Sequence, residues 1–282
     1  MTQGVCLCGA MRYEVHGPFS MAMHCHCSMC RKHHGSVFAT FVSAPLMGFR
    51  WLGGEDQVTR FKSSEHGVRG FCKVCGSVAP TLMKALDLAV CPAGNLLGEL
   101  DLPKASHWFV GSKTPWYEIT DSLPQHEEYP EEFGALGLPT RQIETRAGVV
   151  SGSCLCGQVA YEVNGPALMM RHCHCTRCRR ARSAAHATNV AYKLEDFRFT
   201  RGEAQVVEYK PPDARFFGVA FCSHCGGEMP RRSPERGFVV VPAGSLDTDP
   251  AAAEPPVHIF TGSKANWFPI TDRLQQFAEL KS

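Results

Sequence analysis

No charge of one sign dominates this chain. Its 282 residues carry 29 Lys and Arg against 27 Asp and Glu, a formal net charge of +2. General binding to nucleic acid or to an anionic membrane surface wants a strongly basic balance or face, so a nucleic-acid partner is not expected. No apolar run approaches the roughly 18–20 residues that span a bilayer, and no membrane partner is expected either. The opening Met-Thr-Gln-Gly-Val-Cys-Leu-Cys has no basic start followed by an apolar core. A signal peptide is therefore not expected, and the cytoplasm is the expected compartment. Also missing is a long, capped apolar stripe of helical period, which excludes an architecture of long helices. Hydrophobic residues at 44% and charged residues at 20% nevertheless fit a folded globular protein.

Cysteine, by contrast, is abundant, with 15 in the chain. A chain of this size in a reducing compartment neither needs nor keeps disulfide staples, and clustered cysteines there point to metal. The odd total cannot close entirely into intramolecular disulfides.

The cysteines recur because the sequence recurs. Cys6-Leu7-Cys8-Gly9 returns 148 positions later as Cys154-Leu155-Cys156-Gly157, and His24-Cys25-His26-Cys27 with Cys30-Arg31 returns as His172-Cys173-His174-Cys175 with Cys178-Arg179. Phe71-Cys72 with Cys75-Gly76 matches Phe221-Cys222 with Cys225-Gly226, and Pro92-Ala93-Gly94 matches Pro242-Ala243-Gly244. Gly111-Ser112-Lys113, Trp116 and Ile119-Thr120-Asp121 match Gly262-Ser263-Lys264, Trp267 and Ile270-Thr271-Asp272. Such an offset, drifting by about three residues, reads as a tandem duplication. The expected domains are 1–125 and 150–282, joined by a solvated linker at 126–149 that is rich in Pro, Gly and acid.

Mainly β structure is expected in both. Met11, Tyr13 and Val15 alternate with polar neighbours, as do Val159, Tyr161 and Val163, the signature of a half-buried strand. Val37–Val42, Val206–Tyr209 and Phe238–Val241 are short β-branched or aromatic runs between breakers. Short helices fit best just after Cys30 and Cys178.

Each copy has seven cysteines, in the spacings Cys-x-Cys, Cys-x-Cys-x-x-Cys and Cys-x-x-Cys. A structural zinc takes four thiolates in a closed tetrahedron. One partition closes Cys6, Cys8, Cys72 and Cys75 around one zinc, and Cys154, Cys156, Cys222 and Cys225 around another. Cys25, Cys27 and Cys30, and likewise Cys173, Cys175 and Cys178, then hold zinc by three ligands with one position open, the pattern of a catalytic site. The other reading closes each trio with a histidine (His24 or His26, His172 or His174) or a distant residue. In an extended segment, however, those histidines point away from the cysteines. The expected cofactor is zinc, two per domain and up to four per chain. Three thiolates make a weak Lewis acid but a good seat for a soft fourth ligand, an incoming thiol. Arg31 and Lys32, and Arg177, Arg179, Arg180 and Arg182, form either a solvated basic face or a counter-charge to zinc–thiolate and substrate. Cys91, which corresponds to Val241, reads as a buried apolar residue. Trp116, Trp267, His107 and His258 fit core packing better than a pocket wall.

These motifs together resemble the glutathione-dependent formaldehyde-activating enzymes, whose superfamily includes centromere protein V. The resemblance covers both copies. It implies two β-tent zinc domains of coiled antiparallel sheets, a fold also found in methionine sulfoxide reductase B, and the four-plus-three partition. It implies that Cys25, Cys27 and Cys30, with Cys173, Cys175 and Cys178, are the catalytic sets. The implied activity is that of a carbon–sulfur lyase joining a small thiol, glutathione by default, to a small aldehyde such as formaldehyde. A non-enzymatic tandem zinc scaffold for protein or nucleic-acid recognition is the alternative. The chain departs from the usual single-domain form, and the Gly-Ser that follows the trio is present as Gly35-Ser36 but replaced by Ser183-Ala184. On that ground the first copy is the expected seat of chemistry.

Overall fold

The computed structural model describes residues 1–65, 67–131, 148–250, 252 and 254–280, so most of the expected linker lies outside the described residues, while its start is not a solvated linker: His126 pairs in a sheet of the first half and Tyr129 packs on that half. The described chain is mainly β, and the two halves use equivalent elements.

In the first half, β1 (Thr2–Val5), β2 (Arg12–Val15) and β5 (Phe49–Gly53) form an antiparallel sheet in the order β1-β2-β5. A larger sheet runs β11-β10-β3-β4-β9-β8, from β3 (Met21–Cys25), β4 (Ala39–Pro45), β8 (Thr81–Met83), β9 (Leu88–Pro92), β10 (Ser106–Trp108) and β11 (Gln125–His126). The pair β6 (Val58–Lys62) and β7 (Val68–Cys72) completes this half. One short helix, α1 (Ser28–His34), follows β3.

The second half repeats the plan. β12 (Val150–Ser153), β13 (Ala160–Val163) and β16 (Phe197–Arg201) form the small sheet. β14 (Met169–Cys173) and β15 (Ala187–Lys193) lie in the large one with β20 (Arg231–Ser233), β21 (Phe238–Pro242) and β22 (Val257–Ile259). β17 (Val206–Tyr209), β18 (Val219–Cys222) and β19 (Glu228–Met229) form the third sheet, and α2 (Thr176–Arg182) follows β14. The sheets are not wholly antiparallel: β10 pairs parallel with β3, and β22 with β14. Those parallel pairings set His107 beside His24 and His258 beside His172.

Each helix starts at a cysteine. The Cys27 side chain accepts the Cys30 N–H at 3.4 Å, and Cys175 accepts that of Cys178 at 3.4 Å, which satisfies a donor that helix geometry leaves free. Both helices end in left-handed backbone, at Gly35 (φ 62°) and at Ser183 (φ 52°).

The halves pack by exchanging these helices. α1 lies on the turn Ala243–Ser245 of the second half, and α2 on Ala93–Asn95 of the first. A Cβ on Gly244 would collide with the carbonyl oxygens of Arg31 and Ser36, which explains the glycine of the repeated Pro-Ala-Gly. Trp116 packs against the core of the second half and Trp267 against that of the first. His34 Nδ1–H donates to Arg182 O at 2.8 Å, Ser36 Oγ to His186 O at 2.8 Å, and Val78 N–H to Ser183 Oγ at 2.8 Å. Lys32 donates to Ser153 O at 2.8 Å and ion-pairs with Asp247, both side chains being nearly inaccessible. Neither the solvated face nor the thiolate counter-charge expected for Lys32 is what it does. Its four-carbon stem carries the ammonium across the interface to a buried carboxylate.

Two predictions follow from this interface. Removing one partner of a buried pair strands the other charge, so Lys32→Met should cost about 3–5 kcal/mol. Adding Asp247→Leu should restore most of that loss in urea melts; a single variant as stable as the wild type would contradict the pairing. His186 occupies in the second half the place of Phe38 in the first, against Phe38 (5.5 Å) and Phe268 (5.4 Å). Burial first, then the neighbouring His172, His174 and His258, hold its imidazole well below the ordinary value. The unfolded chain takes up that proton near pH 6.5 and the folded chain does not, so stability is full above this pH and falls as pH drops through it. His186→Phe should flatten the decline between pH 7.5 and 5.5 by up to about 1.4 kcal/mol per pH unit. An unchanged slope would mean that His186 protonates within the fold.

Candidate metal centres

Four groups of cysteine sulfur atoms converge, each with all Sγ atoms within 4.8 Å of one another. They are Cys6, Cys8, Cys72 and Cys75; Cys154, Cys156, Cys222 and Cys225; Cys25, Cys27 and Cys30; and Cys173, Cys175 and Cys178. Each could hold a metal ion.

The groups of four join the loop after the first strand of each half to the tight turn after β7 or β18. Cys6 Sγ lies 3.4 Å from Cys8 Sγ and 3.9 Å from Cys72 Sγ, and Cys8 to Cys72 is 3.7 Å. In the second half, Cys154 to Cys156 is 3.4 Å and Cys156 to Cys222 is 3.9 Å. A tetrahedron of sulfurs about 2.3 Å from a central zinc has edges of about 3.8 Å, so the residues fit that ion. Backbone donors are aimed at the sulfurs as well: Met11 N–H reaches Cys6 Sγ at 3.2 Å and Val159 N–H reaches Cys154 Sγ at 3.3 Å. Such donors favour thiolate over thiol.

The trios are built by the end of one strand and the first turn of a helix. Cys25 ends β3, Cys27 caps α1 and Cys30 lies within it; Cys173, Cys175 and Cys178 repeat this on β14 and α2. The histidines between them face the other way. His24 Nδ1 meets Thr40 Oγ1 at 3.0 Å, and His172 Nδ1 meets Thr188 Oγ1 at 3.0 Å. His26 Nε2 lies 2.8 Å from His107 Nδ1, and His107 Nε2 lies 3.0 Å from Asp121; His174, His258 and Asp272 form the same chain. Burial, then the adjacent His107 or His258, pushes His24 and His172 each down to about 3, so both imidazoles are neutral at pH 7. Among the described residues, none of the four groups contains a histidine. Arg31 and Arg179 tie the same loop down, donating from Nε to His26 O at 3.1 Å and to His174 O at 3.3 Å. Cys91 is wholly buried, its thiol pushed up to about 12 by burial, and it packs in the first core as Val241 does in the second.

The two trios differ in what covers them. In the first half, Arg69 Nη1 donates to Cys30 Sγ at 3.5 Å, and Tyr129 packs on Trp108, Phe109 and the trio. Val219 and Leu280 occupy the matching places in the second half. There Cys173, Cys175 and Cys178 border a cavity of about 720 Å³. Cys27 is buried, whereas Cys175 is partly exposed. A larger cleft of about 1070 Å³ lies elsewhere, lined by Trp116, Tyr117 and Thr271 among others, and no cysteine borders it.

The surroundings of Gly35 do not match the expectation that it shapes a substrate pocket in the first copy. Ser183 adopts the same left-handed backbone as Gly35, with its hydroxyl bonded across the interface. A Cβ on Gly35 would come 2.7 Å from Glu228 Cβ of the other half, so the glycine serves packing between the halves. The residues that do distinguish the sites, Arg69 and Tyr129, escaped the sequence reading. Aligning the two copies and asking where they differ near the trios would have exposed them.

Strand plan and sulfur clusters define a mainly β protein with four candidate metal centres. The glutathione-dependent formaldehyde-activating enzyme family matches residues 1–112 and 149–263, and the chain belongs to that family. A crystal structure of a Rhodobacter sphaeroides protein is similar at 28% identity over 38% of this chain and 97% of that one, with a TM-score of 0.30. Among curated proteins none matches.

The two kinds of cluster should differ in consequence. Protein purified without chelator and supplemented with zinc should approach four zinc ions per chain by elemental analysis; a reproducible two or fewer would contradict metal at the trios. Cys72→Ser should damage folding, since a tetrathiolate zinc contributes folding free energy directly. Cys27→Ser should lose its zinc with a smaller fall in melting temperature, and equal losses would make the trio structural too.

Proposed function

We propose that this protein is a zinc-dependent carbon–sulfur lyase that forms or breaks the adduct between a thiol, glutathione by default, and a small aldehyde such as formaldehyde. Family membership supports the reaction class, and the three-thiol clusters are the observation that carries it. Cys6, Cys8, Cys72 and Cys75, and Cys154, Cys156, Cys222 and Cys225, would hold structural zinc. Cys25, Cys27 and Cys30, and Cys173, Cys175 and Cys178, would hold zinc with a position to spare. Zinc, when bound there, supplies the positive charge that keeps an incoming thiol as thiolate at neutral pH. The new bond joins the thiol sulfur to the carbonyl carbon; the proton lost from sulfur is balanced by one gained on oxygen, giving a hydroxymethyl thioether.

What the chain contributes is placement. The Asp–His–His chains, their imidazoles buried and their carboxylates partly exposed, brace the strand ends that carry Cys25 and Cys173. Backbone N–H groups at the helix starts favour the thiolate form of Cys27 and Cys175. We place the domains at 1–125 and 150–282, with 126–149 between them, and the cytoplasm as the compartment, since fourteen metal-holding cysteines need to stay reduced. Among the described residues no helix is long and apolar enough to cross a membrane.

The test is glutathione-dependent consumption of formaldehyde by the zinc-loaded protein, beside the uncatalysed reaction. A rate above background that falls with Cys175→Ser is expected. No rate above background for any thiol with formaldehyde would contradict the lyase reading.

A further inference from the structure

The surroundings of the two trios differ in ways that bear on which of them takes a thiol, and of what kind, given the zinc–thiol function proposed above. Five arginines border the cavity beside Cys173, Cys175 and Cys178, and no Asp or Glu does so among the described residues. Arg177 is paired with Asp213, and Arg182 with the buried Glu228. Arg171, Arg231 and Arg236 form no ion pair within 4.0 Å among the described residues; the exposed Glu235, its carboxyl held below the ordinary value chiefly by the Ser233 hydroxyl, also feels Arg231 and Arg236 but does not border the cavity. Two of these three are held in place by other means. Arg231 Nη2 donates to Phe216 O at 2.6 Å, and the Arg236 guanidinium lies 4.4 Å over the Phe238 ring and 5.3 Å from the Phe216 ring. Arg171, on β14 two residues before Cys173, borders the same cavity.

At the first trio the corresponding space is filled. Arg69, three residues before Cys72 on β7, stands where Val219 precedes Cys222 on β18, and its guanidinium reaches Cys30. It places a cation against the thiolates, where it offsets their charge and takes up the room a ligand would need. Tyr129 adds a ring over Trp108 and Phe109, where the second half has the exposed Leu280.

We infer that only the second half binds the thiol, as a carboxylate-bearing thiol whose anionic groups meet Arg171, Arg231 and Arg236, while Arg69 and Tyr129 close the first trio. Guanidinium groups meet carboxylates through paired donors, which suits them to this recognition better than lysine. The 720 Å³ cavity has the size of a small-molecule site and exceeds what a thiol tail alone requires. A duplicated family fold would thereby hold one working copy and one that contributes zinc and interface.

The experiment titrates zinc-loaded full-length protein with glutathione, and with uncharged 2-mercaptoethanol, by calorimetry. Glutathione should bind with a stoichiometry of one per chain. Arg231→Gln with Arg236→Gln should raise the Kd for glutathione about tenfold or more and that for 2-mercaptoethanol by less than about threefold, because only the former loses charged partners. Arg69→Val with Tyr129→Leu, which gives the first trio the second's surroundings, should raise the stoichiometry to two. Two equivalents bound by the unaltered chain, equal weakening of both thiols, or a first trio that stays silent after Arg69→Val with Tyr129→Leu would each overturn the inference while leaving the zinc–thiol reading intact. Binding of neither thiol would overturn that reading and the inference with it.

Discussion

Thiolates held within a few ångströms repel one another, and this constraint organises the protein. Groups of four and of three sulfurs converge in each half, brought together from strand ends, tight turns and helix starts. Without a cation such clusters are stable only as thiols; with a divalent metal they become cross-links that a small sheet could not provide by packing alone. Each group of four fastens the first strand's loop to the turn some sixty-odd residues on, which in turn fixes the small sheet against the third. The trios then lie at the far ends of β3 and β14, held from behind by imidazoles rather than by further sulfur.

The second organising feature is the exchange between halves. Each helix that carries a trio's last cysteine packs into the other half, so the geometry of one trio is braced by residues of both. Lys32 with Asp247 and His34 with Arg182 O make this bracing specific, and Gly35 and Gly244 let the backbones approach. A duplicated chain gains from this arrangement because neither copy is obliged to carry every role. The two trios have accordingly acquired different surroundings, a covered one beside Arg69 and an open one lined by arginine.

Much of this was legible in the sequence because cysteine spacing and strand alternation are local signals. Cys6–Cys8 and Cys72–Cys75 stood out as recurring pairs whose grouping the spacing left open and the family resemblance implied, and the alternation of His24, Cys25, His26 and Cys27 in extended chain correctly separated the imidazoles from the sulfurs. What was not legible depends on contacts between distant segments. The parallel pairing of β10 with β3 leaves no mark in either strand. Lys32, beside Arg31 after a cysteine, reads as part of a basic face, and only the interface reveals Asp247 opposite. Gly35-Ser36 looked like pocket chemistry because sequence cannot show Glu228 pressed against it. Arg69 is an ordinary strand residue until β7 is laid beside Cys30.

Groups of four and of three sulfurs in one chain predict two kinds of zinc coordination side by side. Zinc K-edge X-ray absorption on the fully loaded protein measures this directly, as the mean number of sulfur neighbours per zinc. Two four-sulfur and two three-sulfur sites predict a mean of about 3.5 sulfurs with a lighter neighbour completing the rest, rising when excess glutathione is added. A mean of four sulfurs before any thiol is added, unchanged afterwards, would contradict the account.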